Sequence, residues 1–366
     1  MAQAVSSPTP AAIAARKRLK SDFLRTGVIT AVLSGMSYGN YTAFMTLAMG
    51  LGVWGVWYGP DSGLSSFGVM FLLSALGAAV TDTCSALWAL GIALAKGKLG
   101  DFFRCLKTKP GCVMMGAALI GGPIASTCYV VGLQQAGSII VPISALCPAI
   151  GAILARILFK QRLTPRMMLG IAICFLASAL IGSVGLGEDA PQSLFLGIFF
   201  GFLAALGWGL EGSVCGYGTA MIDSEIGITI RQVTSSLSNL FILVPIFAYI
   251  TGVNPFDMIG AAFVDTEAMP WFIVAGFAAY FAFQLWYKGN AMCGAALGMS
   301  CNGMFSFWGP FFCWVILGLI FKQDGWMLPG IAWIAAVVMV VGIFIIAMNP
   351  LDLFRKNDAE AHNEAA

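Results

Sequence analysis

Charge is what this sequence has least of. Asp, Glu, Lys and Arg make up 10% of the 366 residues, while 59% are hydrophobic. A soluble domain carries about 25% charged residues, so an ordinary soluble globule is excluded. Apolarity on this scale excludes intrinsic disorder as well. Histidine is nearly absent: the single His362 stands in a polar C-terminal tail. No His-based zinc site or Ser–His–Asp triad can be assembled from it. No Gly-x-x-x-x-Gly-Lys-Ser/Thr loop occurs, nor a Gly-x-Ser-Gly or Gly-x-Gly-Asp protease signature. ATP hydrolysis by a phosphate-binding loop is therefore not expected. The net charge is +2, which provides no field for nucleic acid. An enzyme is not expected, nor a cofactor or a metal.

What is present is a series of long charge-free runs: 26–60, 62–81, 110–155, 167–187, 190–210, 232–256, 268–287, 289–321 and 325–351. About 20 apolar residues cross a bilayer as a helix. The alternating strands of an outer-membrane barrel are not seen. The fold class expected is thus an all-α polytopic membrane protein. The runs resolve into ten transmembrane helices near 26–50, 67–95, 112–132, 138–158, 167–185, 193–217, 227–250, 269–287, 298–320 and 328–348. The run 110–155 is too long for one span and divides at Gln134-Gln135-Ala136-Gly137. With the N-terminus inside, 18 of the 19 basic residues fall on the cytoplasmic side, leaving Lys322 outside. Basic residues favour that side, so both termini are expected in the cytoplasm. The basic stretch before residue 26 reads as a membrane-proximal anchor, and the first span is too long for a cleaved signal peptide. Trp54, Trp57 and Tyr58, in an outer loop 51–66, are expected at the headgroup level. None of the ten cysteines falls in a segment placed outside, so they read as small apolar helix residues rather than disulfides.

The chain also repeats itself. Residues 27–39 align with 197–209 at an offset of 170, matching Gly27 with Gly197, Tyr38 with Trp208 and Gly39 with Gly209. Residues 144–161 align with 306–323, so that Ser144, Pro148, Phe159, Lys160 and Gln161 meet Ser306, Pro310, Phe321, Lys322 and Gln323. Each half has five spans, an odd number, so the halves must be inverted relative to each other. That explains why Lys160 is inside and its mate Lys322 outside. Inverted repeats are a device of secondary transporters.

Ten helices in two inverted five-helix repeats resemble the drug/metabolite transporter superfamily, EamA type. The resemblance is carried by Pro148, the turn Lys160-Gln161-Arg162-Leu163-Thr164, Gly170, and the pairs Tyr38-Gly39 and Trp208-Gly209. It covers roughly residues 27–348. The family often has glutamate at the turn where this chain has Gln161 and Gln323. The resemblance implies movement of a small metabolite and a bacterial inner (plasma) membrane. The organisation expected is a basic tail 1–25, a first repeat 26–185, a second repeat 193–348 and a cytoplasmic tail 349–366.

Ionisable groups inside a span are costly and face a cavity or a partner. Asp82 lies near the middle of the second helix, in Thr81-Asp82-Thr83, with no evident charged mate. Glu211 in the sixth helix and Arg231 in the seventh sit toward the same side, which fits a structural ion pair or a substrate or proton role. Arg156 near the end of the fourth helix can snorkel. The first helix is unusually polar, with Ser34, Ser37, Tyr38, Asn40, Tyr41 and Thr42. Tyr41 is the offset mate of Glu211. The candidates for substrate binding or coupling are Tyr38, Asn40, Tyr41, Asp82, Trp208, Glu211, Arg231, Gln284 and Asn302. Helices one to four and six to nine should surround the cavity, with five and ten peripheral. Gly207-x-Gly209-x-x-Gly212 imitates a dinucleotide fingerprint, but no strand precedes it. The function expected is secondary active transport of a small polar metabolite by alternating access, proton-coupled or as an exchanger. The alternative is a non-transporting membrane subunit for assembly or signalling. The partners implied are the bilayer and a small-molecule substrate; a homodimer stays open.

Overall fold

The computed structural model describes residues 10–159, 164–183, 192–219, 221–293, 295–327 and 329–347. The turn 160–163 with Lys160 and Gln161, the loop 184–191 and the tail 348–366 with His362 lie outside the described residues. Among the described residues the chain is all helix, with no strand. The first helix, α1, is Pro10–Ala48, and a short α2, Gly52–Tyr58, follows. Next come α3, Gly68–Ala95, and α4, Leu99–Cys105. Helix α5 covers 109–136, its two α-helical parts joined through a π turn at Ile120–Ser126. After a break come α6, Ile140–Ser144, α7, Cys147–Phe159, and α8, Pro165–Ser183. The second half holds α9, Gln192–Thr219, α10, Ser224–Thr251, and α11, Pro255–Val264. It continues through α12, Met269–Cys293, α13, Ala295–Asn302, α14, Phe305–Ile320, and α15, Gly330–Ala347.

Five stretches among the described residues are long and apolar enough to cross a membrane: Gly68–Ala95, Lys109–Ser144, Ser193–Cys215, Ser224–Thr251 and Met269–Met292. The distribution of side chains fits a bilayer solvent. Leu87, Leu176, Phe199, Phe241, Ile334 and Val341 point outward, while Asp82, Glu211, Arg231, Gln232 and Asn239 are buried. A soluble protein shows the opposite arrangement.

Local sequence accounts for the breaks. Gly137 has φ +64°, a conformation that glycine adopts at little cost, and it ends α5 at the place where the sequence predicts a turn. Pro123 removes a backbone donor inside α5, and the ladder there widens into the π turn. A similar π turn, Asn239–Leu243, lies within α10. Pro148 sits in the first turn of α7, where a missing N–H costs little.

Three expectations need correction. The first helix begins at Pro10 rather than near 26, because the basic tail continues the helix. The loop 51–66 expected outside contains α2, and Trp54 is fully buried inside the protein rather than turned outward. Its ring packs on Trp57 and Phe272, and Asp265 accepts a hydrogen bond from the Val53 amide. The helix expected over 298–320 is interrupted: α13 ends at Asn302 and α14 starts at Phe305. Arg156 is exposed, as a snorkelling side chain would be.

Helix packing fixes where a site can form. Helix α1 lies against α12 and α14, α9 against α5 and α7, α3 against α10 and α12, and α8 against α15. Gly35 and Gly39 let α1 meet the backbone of the α13–α14 segment, since a Cβ at Gly39 would overlap the Trp308 carbonyl.

Candidate functional site

Helices α3 and α10 face each other through polar side chains. On α10, Gln232, Ser235, Ser236 and Asn239 follow the i, i+3, i+4, i+7 spacing of one helical face. Ser235 and Asn239 both donate to Oδ2 of Asp82, the latter at 3.0 Å. One turn along, the Gln232 amide donates to Ser85 Oγ. Beside them the Thr83 and Ser236 hydroxyls are 2.8 Å apart. No basic side chain forms an ion pair with Asp82 among the described residues.

The second carboxylate is paired. Arg231 Nε donates to Glu211 Oε1 at 2.8 Å, and both side chains have no exposure. A second contact from Arg231 Nη2 to Oε2 measures 3.4 Å. Arg231 also donates to Gln232 and to the carbonyl of Gly121, and its guanidinium lies 3.6 Å from the centre of the Phe283 ring. The Tyr287 hydroxyl donates to Glu211 Oε1 at 3.3 Å. Of the two readings left open by the sequence, the ion pair is therefore present. Since Gln232 bonds both Arg231 and Ser85, the pair connects to the α3–α10 face.

The π turn of α5 supports this arrangement. Gly121 O accepts from Trp208 Nε1 at 2.9 Å as well as from Arg231, and a Cβ on Gly121 would overlap the Glu211 carboxylate. Glycine there is a requirement of close approach.

Aromatic rings adjoin the network. Tyr38 meets Tyr41, Tyr129, Trp208 and Phe283 edge-on at centroid distances of 5.2, 5.7, 5.7 and 6.2 Å. Phe305 lies closer, at 4.4 Å. A cavity of about 20 Å³ opens here, lined by Tyr38, Trp208, Phe283, Trp286, Phe305 and Asn302, with Cys147 and Ala282. None of its lining comes from α8 or α15, the helices expected from the sequence to be peripheral. The volume suffices for one water.

The sequence candidates thus divide. Tyr38, Trp208 and Asn302 line the cavity; Asp82, Glu211 and Arg231 form the network; Tyr41 packs on Tyr38. Asn302 donates to Ser34, which in turn donates to the Ala282 carbonyl at 2.6 Å. Gln284 is buried but lines neither feature. Asn40 lines neither feature: its amide donates to the Met36 carbonyl of its own helix at 3.1 Å. Sequence reasoning missed Ser235, Asn239, Gln232, Gly121, Phe283 and Tyr287. The polar spacing on α10 was the available signal for three of them. Gly121 stands in Gly121-Gly122-Pro123, a glycine–proline run that can break a helix near a cavity, whereas Tyr287 gave no signal.

Outside the spans, Lys98 joins α3 to the start of α10. Its amine lies 2.8 Å from Glu225 and 3.1 Å from Asp223, and Lys96 also bonds Glu225. The hydrogen bond from Lys98 to Glu225 raises the amine's pKa above its usual value. Asp223 is held below the usual carboxylate range: partial burial opposes this, but hydrogen bonds from Lys98 and the Glu225 amide outweigh it.

No family model matches the chain. Protein LicB of Haemophilus influenzae is 24% identical over 163 residues, which are 44% of this chain and 53% of that protein. The chain thus matches about half the length of this curated relative. A solved crystal structure of a protein shares the fold, with a TM-score of 0.51 and 17% identity, covering 89% of this chain and 96% of that one.

Proposed function

We propose that this chain is a secondary transporter that moves a small organic cation across the membrane by alternating access. The observation that carries the reading is the cluster of rings Tyr38, Trp208, Phe283, Trp286 and Phe305 around a water-sized cavity beside a buried polar network, a space that would have to widen to admit a substrate. Ring faces attract a cation, and more strongly once it is desolvated. The network holds two carboxylates, Asp82 and Glu211, against one guanidinium, Arg231. With both acids ionised it has one negative charge in excess, which favours a cationic guest over an anionic one. Phe283 already holds a cation, Arg231, at its face.

The ten-span inverted repeat belongs to this proposal. Under the repeat, the first span exchanges with the sixth, the third with the eighth and the fourth with the ninth. The packing of α1 on α12 then corresponds to that of α9 on α5, and α1 on α14 to α9 on α7. The pairs α3–α10 and α8–α15 map onto themselves. Such exchange supports a pseudo-two-fold, around which two halves can rock. Both cytoplasmic termini, and membership of the drug/metabolite transporter superfamily, are part of the same reading.

Purified protein in proteoliposomes, offered a panel of labelled small amines, quaternary ammonium compounds, sugars and carboxylates, tests it. Uptake or exchange of cations, lost in protein-free vesicles, is expected. Absence of flux for every class would favour the non-transporting subunit instead.

A further inference from the structure

We propose that Trp208 is a positioning residue that makes the Glu211–Arg231 pair respond to what occupies the cavity. The inference rests on the transport reading for the use of this link; the link itself stands on geometry. Trp208 belongs to both features. Its ring lines the cavity. Its Nε1 donates at 2.9 Å to the carbonyl of Gly121, in the π turn of α5, and Arg231 reaches toward the same oxygen.

Gly121 O is crowded. Besides the indole it meets Ser126 Oγ at 3.1 Å and Arg231 Nη2 at 3.5 Å. A carbonyl oxygen has two lone pairs, so these three donors are one more than it seats well. Distance ranks them: the indole and the hydroxyl make ordinary hydrogen bonds, and Arg231 is too far for a strong one. Nη2 has a second acceptor, Glu211 Oε2, at 3.4 Å. It stands between two oxygens at nearly equal distance. Nε is committed, at 2.8 Å from Glu211 Oε1. The Nη2 contact is thus the adjustable part of the pair, and the state of Gly121 O decides its direction. With the indole in place, Nη2 is left to Glu211. With the indole withdrawn, a lone pair on Gly121 O is free, and Nη2 is drawn to it and away from the carboxylate.

Occupancy of the cavity withdraws the indole. The space suffices for one water, so an organic guest must displace rings of the wall. The backbone of α9 has little freedom here: a Cβ on Gly207 would overlap Ala125 of α5, and one on Gly209 would press on the Cys147 carbonyl of α7. Trp208 therefore yields by turning its side chain, and the N–H leaves Gly121 O with it. Its ring neighbours Tyr38 and Tyr129, at 5.7 and 5.1 Å, limit the directions open to it. Phe283 is a second shared wall, since it lines the cavity and meets the Arg231 guanidinium at 3.6 Å. A guest that binds better with the indole turned shifts the pair by that difference in affinity.

The test begins without ligand, on the full chain purified in detergent. Unfolding midpoints are read for Glu211→Gln, Arg231→Gln and the double variant, once with Trp208 and once with Trp208→Phe. Phenylalanine keeps a ring at the cavity and lacks the N–H. Glu211→Gln should lower the midpoint less in the Trp208→Phe background, because Arg231 then has Gly121 O to turn to. The recovery in the double variant should shrink with it. A ring that only fills space shifts every member of the cycle alike and leaves the recovery unchanged, and that result overturns the proposal. Should Trp208→Phe fold poorly, Ser126→Ala decides: it frees the same carbonyl from outside the cavity, and an undiminished Glu211→Gln loss in that background overturns the proposal. Tetramethylammonium chloride then replaces NaCl at constant ionic strength. The nuclear magnetic resonance signal of the Trp208 indole N–H, identified by its loss in Trp208→Phe, should move as the midpoint rises. A rising midpoint with that signal unmoved overturns the proposal. Cation flux with an unchanged cycle removes this inference and leaves the transport reading; a changed cycle without flux does the reverse.

Discussion

Replacing Glu211 by Gln keeps the shape of the side chain and removes its charge. Arg231 would then be a cation with no exposure, left with the Gln232 and Gly121 oxygens and the Phe283 ring face. Two unit charges about 4 Å apart attract by roughly 4 kcal/mol at an effective dielectric near 20. Desolvation has already been incurred by both groups, so it does not offset the loss when only one is neutralised. Breaking a buried pair from one side costs about 3–5 kcal/mol, and the remaining partners of Arg231 place the expectation at the lower end. The Tyr287 hydroxyl keeps an acceptor in the carbonyl oxygen of the new amide, so that contact should survive. Thermal unfolding in detergent, followed by tryptophan fluorescence, should show a clearly lower midpoint for Glu211→Gln. Arg231→Gln should also destabilise, by leaving Glu211 in the same isolation. The double variant should recover most of the loss, because neither charge is then stranded. The coupling energy from the cycle should exceed about 1 kcal/mol, the range for residues in one network. Additive single effects, with no recovery in the double variant, would refute the assignment of the pair as mutually dependent.

Four further outcomes are expected. Gly121→Ala places a Cβ against the Glu211 carboxylate, and overpacking of this kind costs about 1–3 kcal/mol, measurable by the same unfolding assay. Trp286→Leu removes one ring from the cavity wall; a cation–π contact of about 0.5–2 kcal/mol corresponds to roughly a 2- to 30-fold weaker apparent affinity for the transported cation, with a neutral competitor unaffected. Asp223 has a folded-state pKa below its unfolded value, so its contribution is present above the unfolded pKa and lost as pH falls through the folded one. With Asp223 47% exposed and Lys98 31%, that contribution is at most about 0.5 kcal/mol, and Asp223→Asn should flatten the acid limb of a stability–pH curve only slightly. Cysteines placed singly at positions 61 and 107, on a background without native cysteines, should label from outside at 61 only; the reverse pattern would overturn the topology.

Local sequence settles the solvent and the parts list. Charge-free runs of membrane length, and breaks at Gly137 and Pro123, follow from local chemistry: apolar residues must leave water, and backbone limits act on the residue that carries them. The pairing of Glu211 with Arg231 was legible as one of two readings, because consecutive helices carried opposite charges toward the same side. Which groups meet is a matter of helix packing. Asn239 is 157 residues from Asp82, and Gly121 is 110 from Arg231. No periodicity in a single helix encodes such a distance; it arises when α3 packs on α10 and α5 brings its π turn against both. The burial of Trp54 was decided in the same way, since Phe272 and Asp265 come from a segment that the sequence places far from it. Asn40 shows the converse: its type suggested a site, but its orientation on α1 turned the amide to its own backbone. Residue type sets what a side chain can do, and helix packing sets what is within its reach.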